Sequence, residues 1–266
     1  MDAVVTIPGA EPFSAAGELP NSRLGVLILH GFTGSPIPVR PLGERIAEAG
    51  YQVELPLLPG HGTTPADLAG TRYADWYDDA GRVLDHLAAH TDRVVVCGLS
   101  VGGTIALDLA VRRAGVVAGV VTLNALIRDP CPVLARPVRF AGRWVPALPR
   151  RWVRMPPDDV ARPGVGESAY RRVPLAPLRS LLDELPRIRS QLGELTAPLL
   201  VVRSLVDHVV DPADSLEILR SVGSEHRREM VCERSRHLVT LDHDATAVES
   251  AVLQFLAELR DEEGRP

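Results

Sequence analysis

The chain has 266 residues, enough to bury the core of one large domain, with or without an insertion, and without covalent staples. A net charge of −5 argues against a nucleic-acid partner, and no apolar run approaches the roughly 20 residues needed to cross a bilayer. Three widely spaced cysteines, Cys97, Cys131 and Cys232, form no CxxC pair, so neither a disulfide framework nor a zinc site is suggested and buried or incidental thiols are expected.

The opening stretch MDAVVTIPGAEPFSAAG has no basic n-region and no sustained apolar h-region, so no secretory signal is expected and the cytoplasm is the expected compartment. The run GVLILH at 25–30 reads as the first strand, followed by the glycine-bearing loop GFTGSP. A helix is expected from Pro38 to Ala49, stopped by Gly50, and then a strand YQVEL at 51–55. Trp76 to His90 read as a helix with Val83, Leu84, Leu87 and Ala88 on its apolar face. His86 and His90 share a face of that helix, but no third ligand accompanies them, so they read as solvated residues.

The strand RVVVCG at 93–98 meets an almost wholly apolar helix, Val101 to Val111, and VVAGVVTL at 116–123 is the next strand. The chain then changes character. Between Arg128 and Arg189 lie 13 arginines, six acids and 11 of the 23 prolines, so this segment is about +7 and the remainder about −12. Such a shift marks an insertion at 128–190, leaving 1–127 and 191–266 as the core. The core resumes with the strand PLLVVRS at 198–204, continues through the strand-like HRREMVCE, and ends in a helix from about Asp244 to Leu259. That helix aligns Val248, Ala251, Val252, Phe255, Leu256 and Leu259 on one stripe. Near-continuous apolar strands alternating with helices predict an α/β fold, a mostly parallel doubly wound sheet buried on both faces.

The chemistry concentrates at Gly98-Leu99-Ser100-Val101-Gly102, a GxSxG element between a strand and a helix. The turn there must be sharp, and side chains at the two flanking positions would collide across it. GLSVGG does not satisfy GxGxxG, and no ribose-binding acid accompanies it, so a nucleotide site is disfavoured. A serine hydroxyl needs a base, and the base an orienting acid. His237, in the loop ERSRHLVTLD, is placed to drop onto the serine, whereas His243 at the lip of the last helix reads as a surface residue. In VVRSLVDHVVDPADS, Asp211 before Pro212 has the signature of a helix cap, which leaves Asp207 as the acid. The attacked acyl carbon develops an oxyanion, for which the amide of Val101 and the amide of Phe32 in ILHGFTGSP are the expected donors, with His30 bracing the latter loop. This cage takes the place of a Lewis acid, so no metal or organic cofactor is expected.

In order and spacing, HGFTGSP, LPLLPGHGTTPADL, the Trp of ADWYDD, GLSVGG, DHVVDP and SRHLVTLD resemble the α/β-hydrolase superfamily over nearly the whole chain. Within it the resemblance is to bacterial carboxylesterases and monoacylglycerol lipases with a small cap. The resemblance implies catalysis by Ser100, Asp207 and His237, an oxyanion hole at Phe32 and Val101, and a cap at 128–190 over an acyl pocket. It makes His61 of PGHG a turn residue and Glu167 of VGESAYRR a substrate-binding acid aimed at glycerol hydroxyls. The function implied is hydrolysis of carboxylic esters with short or medium acyl chains, or of monoacylglycerols, through an acyl-enzyme. Thioester or amide hydrolysis and acyl transfer use the same triad and stay open, while an intact triad and donor loop weigh against a non-catalytic receptor on this scaffold. The expected partner is a small-molecule ester or lipid, and a cap of about +7 could dock weakly on an anionic lipid surface.

Overall fold

The computed structural model describes residues 7–129, 152–155, 158–166 and 169–261. Along the chain run β1 (Phe13–Ala15), β2 (Leu24–Leu29), α1 (Arg40–Glu48), β3 (Gln52–Leu55), α2 (Pro65–Ala69), α3 (Tyr73–Ala88), β4 (Arg93–Leu99), α4 (Val101–Arg112) and β5 (Val117–Leu123). After these come β6 (Trp152–Arg154), β7 (Arg172–Pro174), α5 (Leu175–Gln191), β8 (Leu199–Ser204), α6 (Ala213–Ser221), β9 (Arg227–Cys232) and α7 (Ala245–Asp261). Seven strands form one sheet in the order β1-β3-β2-β4-β5-β8-β9, parallel except for the antiparallel edge strand β1. This is the doubly wound arrangement expected from the alternation of apolar strands and helices.

The apolar strands divide their side chains between two layers, as the period of two requires. On one face Leu27, Leu29, Val94 and Val96 pack with α3, α4 and α5; on the other Val26, Ile28, Val95 and Cys97 pack with α1 and α7. Burying both faces explains why β2 and β4 carry no polar alternation. Register brings the carboxyl ends of four strands to one edge: Leu29 pairs with Gly98, Leu99 with Leu123, and Leu123 with Val202. The loops beyond that edge carry His30, Ser100, Asn124 and Asp207, in the crevice where open α/β sheets bind ligands.

Helix α3 begins earlier than its apolar face indicates, because Asp75 Oδ2 accepts the Arg72 N–H at 2.7 Å and caps the first turn. Helix α5, within the arginine- and proline-rich span, buries Leu181, Leu182, Leu185 and Ile188 in the same layer as α3 and α4. It is also tied by charge. The buried Asp108 of α4 receives both terminal nitrogens of Arg187 at 2.8 and 3.0 Å and the Tyr73 hydroxyl at 3.0 Å. Elsewhere in that span β6 and β7 pair as an antiparallel hairpin, with Val153 packed inward and Trp152 and Arg154 outward. Among the described residues no helix is long and apolar enough to cross a membrane.

Candidate active site

Ser100 sits where β4 turns into α4, with φ 55° and ψ −118°, a conformation costing about 1–3 kcal/mol that persists only where its surroundings over-determine it. Its N–H donates to Leu123 O at 2.8 Å, and its carbonyl accepts from Thr104 at 3.1 Å and Leu126 at 3.4 Å. The flanking glycines meet different constraints. A Cβ on Gly98 would lie 2.2 Å from the Gly102 carbonyl, across the turn as expected. A Cβ on Gly102 would instead lie 2.2 Å from Leu29 O, so this glycine lets the helix approach β2 rather than relieving the turn.

His237 Nδ1 lies 2.7 Å from Asp207 Oδ2, with both side chains at most 7% exposed. The other oxygen, Asp207 Oδ1, accepts the N–H groups of Val209 at 2.8 Å and Val210 at 2.9 Å, which fix the carboxylate in its turn. With a carboxylate at Nδ1, that nitrogen carries the proton, and Nε2 is the basic nitrogen. Ser100 and His237 line one cavity, together with Gly31, Phe32 and Val101. The cavity opens to solvent, and most of its remaining lining is apolar, including Leu126, Met155, Leu178 and Leu181. A Cβ built on Gly31 would stand 3.9 Å from Ser100 Oγ, so the backbone at Gly31 runs close to the hydroxyl.

The other histidines have structural surroundings. His30 Nε2 accepts from Leu58 N–H at 3.1 Å and its Nδ1 donates to Gly31 O at 2.9 Å, a brace across the loop bearing Phe32. Burial lowers its pKa to about 4. His61 contacts Pro59 O at 3.1 Å through Nδ1 and packs edge-on against Trp76, and burial lowers its pKa to about 3. Helix α3 ends at Ala88, short of the expected His90; the rings of His86 and His90 lie 4.5 Å apart at its C-terminal end, and His90 Nδ1 bonds the His86 carbonyl at 2.7 Å. His243 is exposed and does not line the cavity. Asp211 Oδ1 accepts Ala213 N–H at 2.9 Å at the start of α6, the capping role expected of it. Cys97 and Cys232 are buried free thiols pushed up to about 12 by burial, and Cys131 lies outside the described residues. Glu167 likewise lies outside the described residues; its described neighbour Ala169 lines the cavity.

Two residues that sequence reasoning missed hold the loop of His237. Asn124, with φ 47° at the end of β5, donates to His237 O at 2.9 Å and accepts Ser204 N–H at 2.8 Å. Asp159, from the span 128–190, accepts N–H groups of both His208 and His237. A polar residue closing an otherwise apolar strand was the available signal for Asn124. No local pattern announced Asp159.

The profile of one protein family, described as Serine aminopeptidase, S33, matches residues 20–244. A thermostable monoacylglycerol lipase from Bacillus sp. (strain H-257) is 34% identical over 252 residues, covering 95% of this chain and 96% of its own. A carboxylesterase from Bacillus subtilis (strain 168) is 27% identical over 235 residues, covering 88% and 92% of the two chains. Among solved structures, one from a study of two metagenome-derived lipolytic enzymes superposes with a TM-score of 0.87 at 33% identity, covering 95% of this chain and 99% of that one. The monoacylglycerol lipase of Paleococcus ferrophilus, at 16% identity and a TM-score of 0.79 over 93% and 98% of the two chains, shares the fold. The chain belongs to the serine aminopeptidase S33 family of α/β-hydrolases, and within it to the carboxylic ester hydrolases.

Proposed function

We propose that Ser100 is the nucleophile, His237 the general base and Asp207 its orienting acid, with the amides of Phe32 and Val101 receiving the oxyanion. The observation that carries this reading is the 2.7 Å contact of His237 Nδ1 with Asp207 at the rim of the cavity that also receives Ser100. Ser100 Oγ forms a bond to the acyl carbon as its proton passes to His237 Nε2 and the carbonyl electron pair moves onto oxygen. Collapse of this adduct breaks the bond to the alcohol, which leaves with the proton from Nε2. Water then repeats the sequence on the acyl-enzyme and frees the acid. Val101 begins α4, so its N–H adds the positive end of the helix dipole to the cage. Active-site labelling by a fluorophosphonate, complete for the wild type and absent for Ser100→Ala, is the first test; stoichiometric labelling of the Ser100→Ala variant would overturn the assignment.

The same reading takes 1–127 and 191–266 as the catalytic core and 128–190 as a cap, with monoacylglycerols or short- to medium-chain esters as substrates. The mostly apolar lining of the cavity suits an acyl chain. Glu167 would accept hydrogen bonds from the free hydroxyls of a monoacylglycerol. Glu167→Ala should then impair monoacylglycerol hydrolysis well beyond p-nitrophenyl butyrate hydrolysis, and equal losses on both would remove Glu167 from the site. The hairpin adds a route for lipid to arrive. Trp152, 47% exposed, shares its outer face with Arg154, which stands opposite Arg172 in the ladder. Like charges paired in this way repel unless an anionic surface answers them. Cosedimentation with phosphatidylglycerol but not phosphatidylcholine vesicles, weakened by Arg154→Glu, is the expected result; equal recovery with both vesicles would refute it.

A further inference from the structure

The general base stands on a loop, so something other than a strand or helix has to hold it. Its N–H side meets Asp159, which is nearly buried among the cavity-lining residues. Asp159 Oδ2 accepts the backbone N–H of His208 at 2.9 Å and that of His237 at 3.4 Å, and Asp159 O accepts the Leu238 N–H at 3.2 Å. One carboxylate oxygen therefore gathers the residue next to the acid and the base itself. Asp159 Oδ1 bonds the His208 ring at 2.9 Å.

The tether is reciprocated. Asp242, at the far end of the base loop, accepts the N–H groups of Ala161 at 2.7 Å and Arg162 at 2.9 Å, just past Asp159. The 159–162 segment thus crosses the base loop with hydrogen bonds running in both directions. Asp159 meets His237 through the backbone N–H, whereas Asp207 meets it at ring Nδ1, which separates the part of Asp159 from that of the triad acid.

We propose that Asp159 is a positioning residue: it sets the separation of the Asp207 and His237 loops by holding the amides of His208 and His237 on one oxygen. The inference rests on the triad reading above. It makes the 128–190 segment a structural partner of the base as well as a cover for the acyl cavity. A shift of the base by about 1 Å is enough to cost on the order of 100-fold in rate.

The test compares three variants of the full-length enzyme on p-nitrophenyl butyrate, with the downfield 1H resonance of the His237 Nδ1 proton as a second readout. Asp159→Ala should lower kcat by about 100-fold with KM nearly unchanged, and should shift or broaden that resonance. Asp159→Asn can place its carbonyl oxygen at the Oδ2 position and its NH2 against the His208 ring, so kcat should return to within about fivefold of wild type and the resonance should reappear. His208→Ala keeps the backbone N–H and should stay within about threefold of wild type. Titration of Ser100 by fluorophosphonate counts folded sites and corrects each kcat for any unfolded fraction. Wild-type kcat per titrated site in Asp159→Ala, an unmoved resonance, or an equal loss in His208→Ala would overturn the proposal. Substantial turnover in Ser100→Ala or His237→Ala would instead overturn the triad reading, so the two failures are distinguishable.

Discussion

Replacing Asp207 by asparagine keeps the size of the side chain but forces a choice between its two sets of partners. Asp207 Oδ1 accepts two backbone N–H groups, from Val209 and Val210, and Oδ2 accepts one ring N–H from His237. Asparagine has one oxygen. Turned toward the backbone, it satisfies both amides and presents NH2 to His237 Nδ1, which drives the ring to the tautomer with the proton on Nε2 and abolishes its basicity there. Turned toward the ring, it keeps the productive tautomer but sets NH2 against two buried N–H groups. An unsatisfied buried donor costs about 1–3 kcal/mol, so the backbone-facing rotamer wins by at least that amount and the productive one holds about 1–15% of molecules. Loss of the carboxylate charge that stabilises the imidazolium lowers the rate further, so kcat should fall by about 10³–10⁴ at neutral pH. Folding should hold up, since the bonds of Val209 and Val210 survive. Asp207→Ala lacks both sets and should be the less stable of the two. The assay is steady-state hydrolysis of p-nitrophenyl butyrate beside thermal denaturation of both variants. An Asn variant within about tenfold of wild type in kcat, or an Ala variant as stable as the Asn variant, would refute the reasoning.

His237→Ala should lose several orders of magnitude in kcat while His243→Ala stays near wild type, because only the first residue reaches the cavity; equal losses in two folded variants would identify the wrong base. Gly102→Ala places a Cβ 2.2 Å from Leu29 O in the sheet interior, where neither backbone can yield cheaply, so a loss of about 3 kcal/mol or more is expected and is read from the denaturation midpoint. Burial raises the Asp242 carboxyl, but bonds from the N–H groups of Ala161, Arg236, His243 and Arg162 outweigh it and hold the pKa below 3.8. Its contribution to stability is therefore complete above that value and lost as pH falls through the lower folded value. Asp242→Asn should be destabilised at neutral pH and should flatten the acid limb of the stability curve below about pH 4, as measured by melting temperature against pH; an unchanged acid limb would show that Asp242 does not drive it.

Legibility in the sequence follows the range of the interaction that fixes each residue. Strands β2, β4, β5 and β8 could be read from apolar runs because burial on two faces leaves few polar positions. The three-residue strands β1, β6 and β7 escaped because so short a segment has no periodicity to detect. Asp207 could be separated from Asp211 because the rival has a local duty, capping α6 beside a proline. Gly98 and Gly102 both advertised a steric demand, but whether the obstacle lay in the turn or on β2 depends on packing across the sheet. Asp159 was out of reach altogether, since its bonds to His208 and His237 span 49 and 78 residues and involve their backbone amides, which any residue type would offer.

The two halves of the candidate site are held by different physics. Ser100 is fixed mainly by backbone: a strained φ, a hydrogen bond to Leu123 O, and a helix that fits against β2 only because Gly102 lacks a side chain. Changing its position means rebuilding the core, at a cost comparable to much of the fold's stability. His237 is fixed by side chains, with Asn124 on its carbonyl and Asp159 on its N–H. Those tethers can be exchanged one at a time at about 1–3 kcal/mol each. Because Asp159 both lines the cavity and accepts the His237 N–H, one segment contributes to the cavity wall and to the tether of the proposed base. Substitutions in the 158–162 strap should therefore alter substrate preference and turnover together, whereas substitutions around Ser100 should act on stability first.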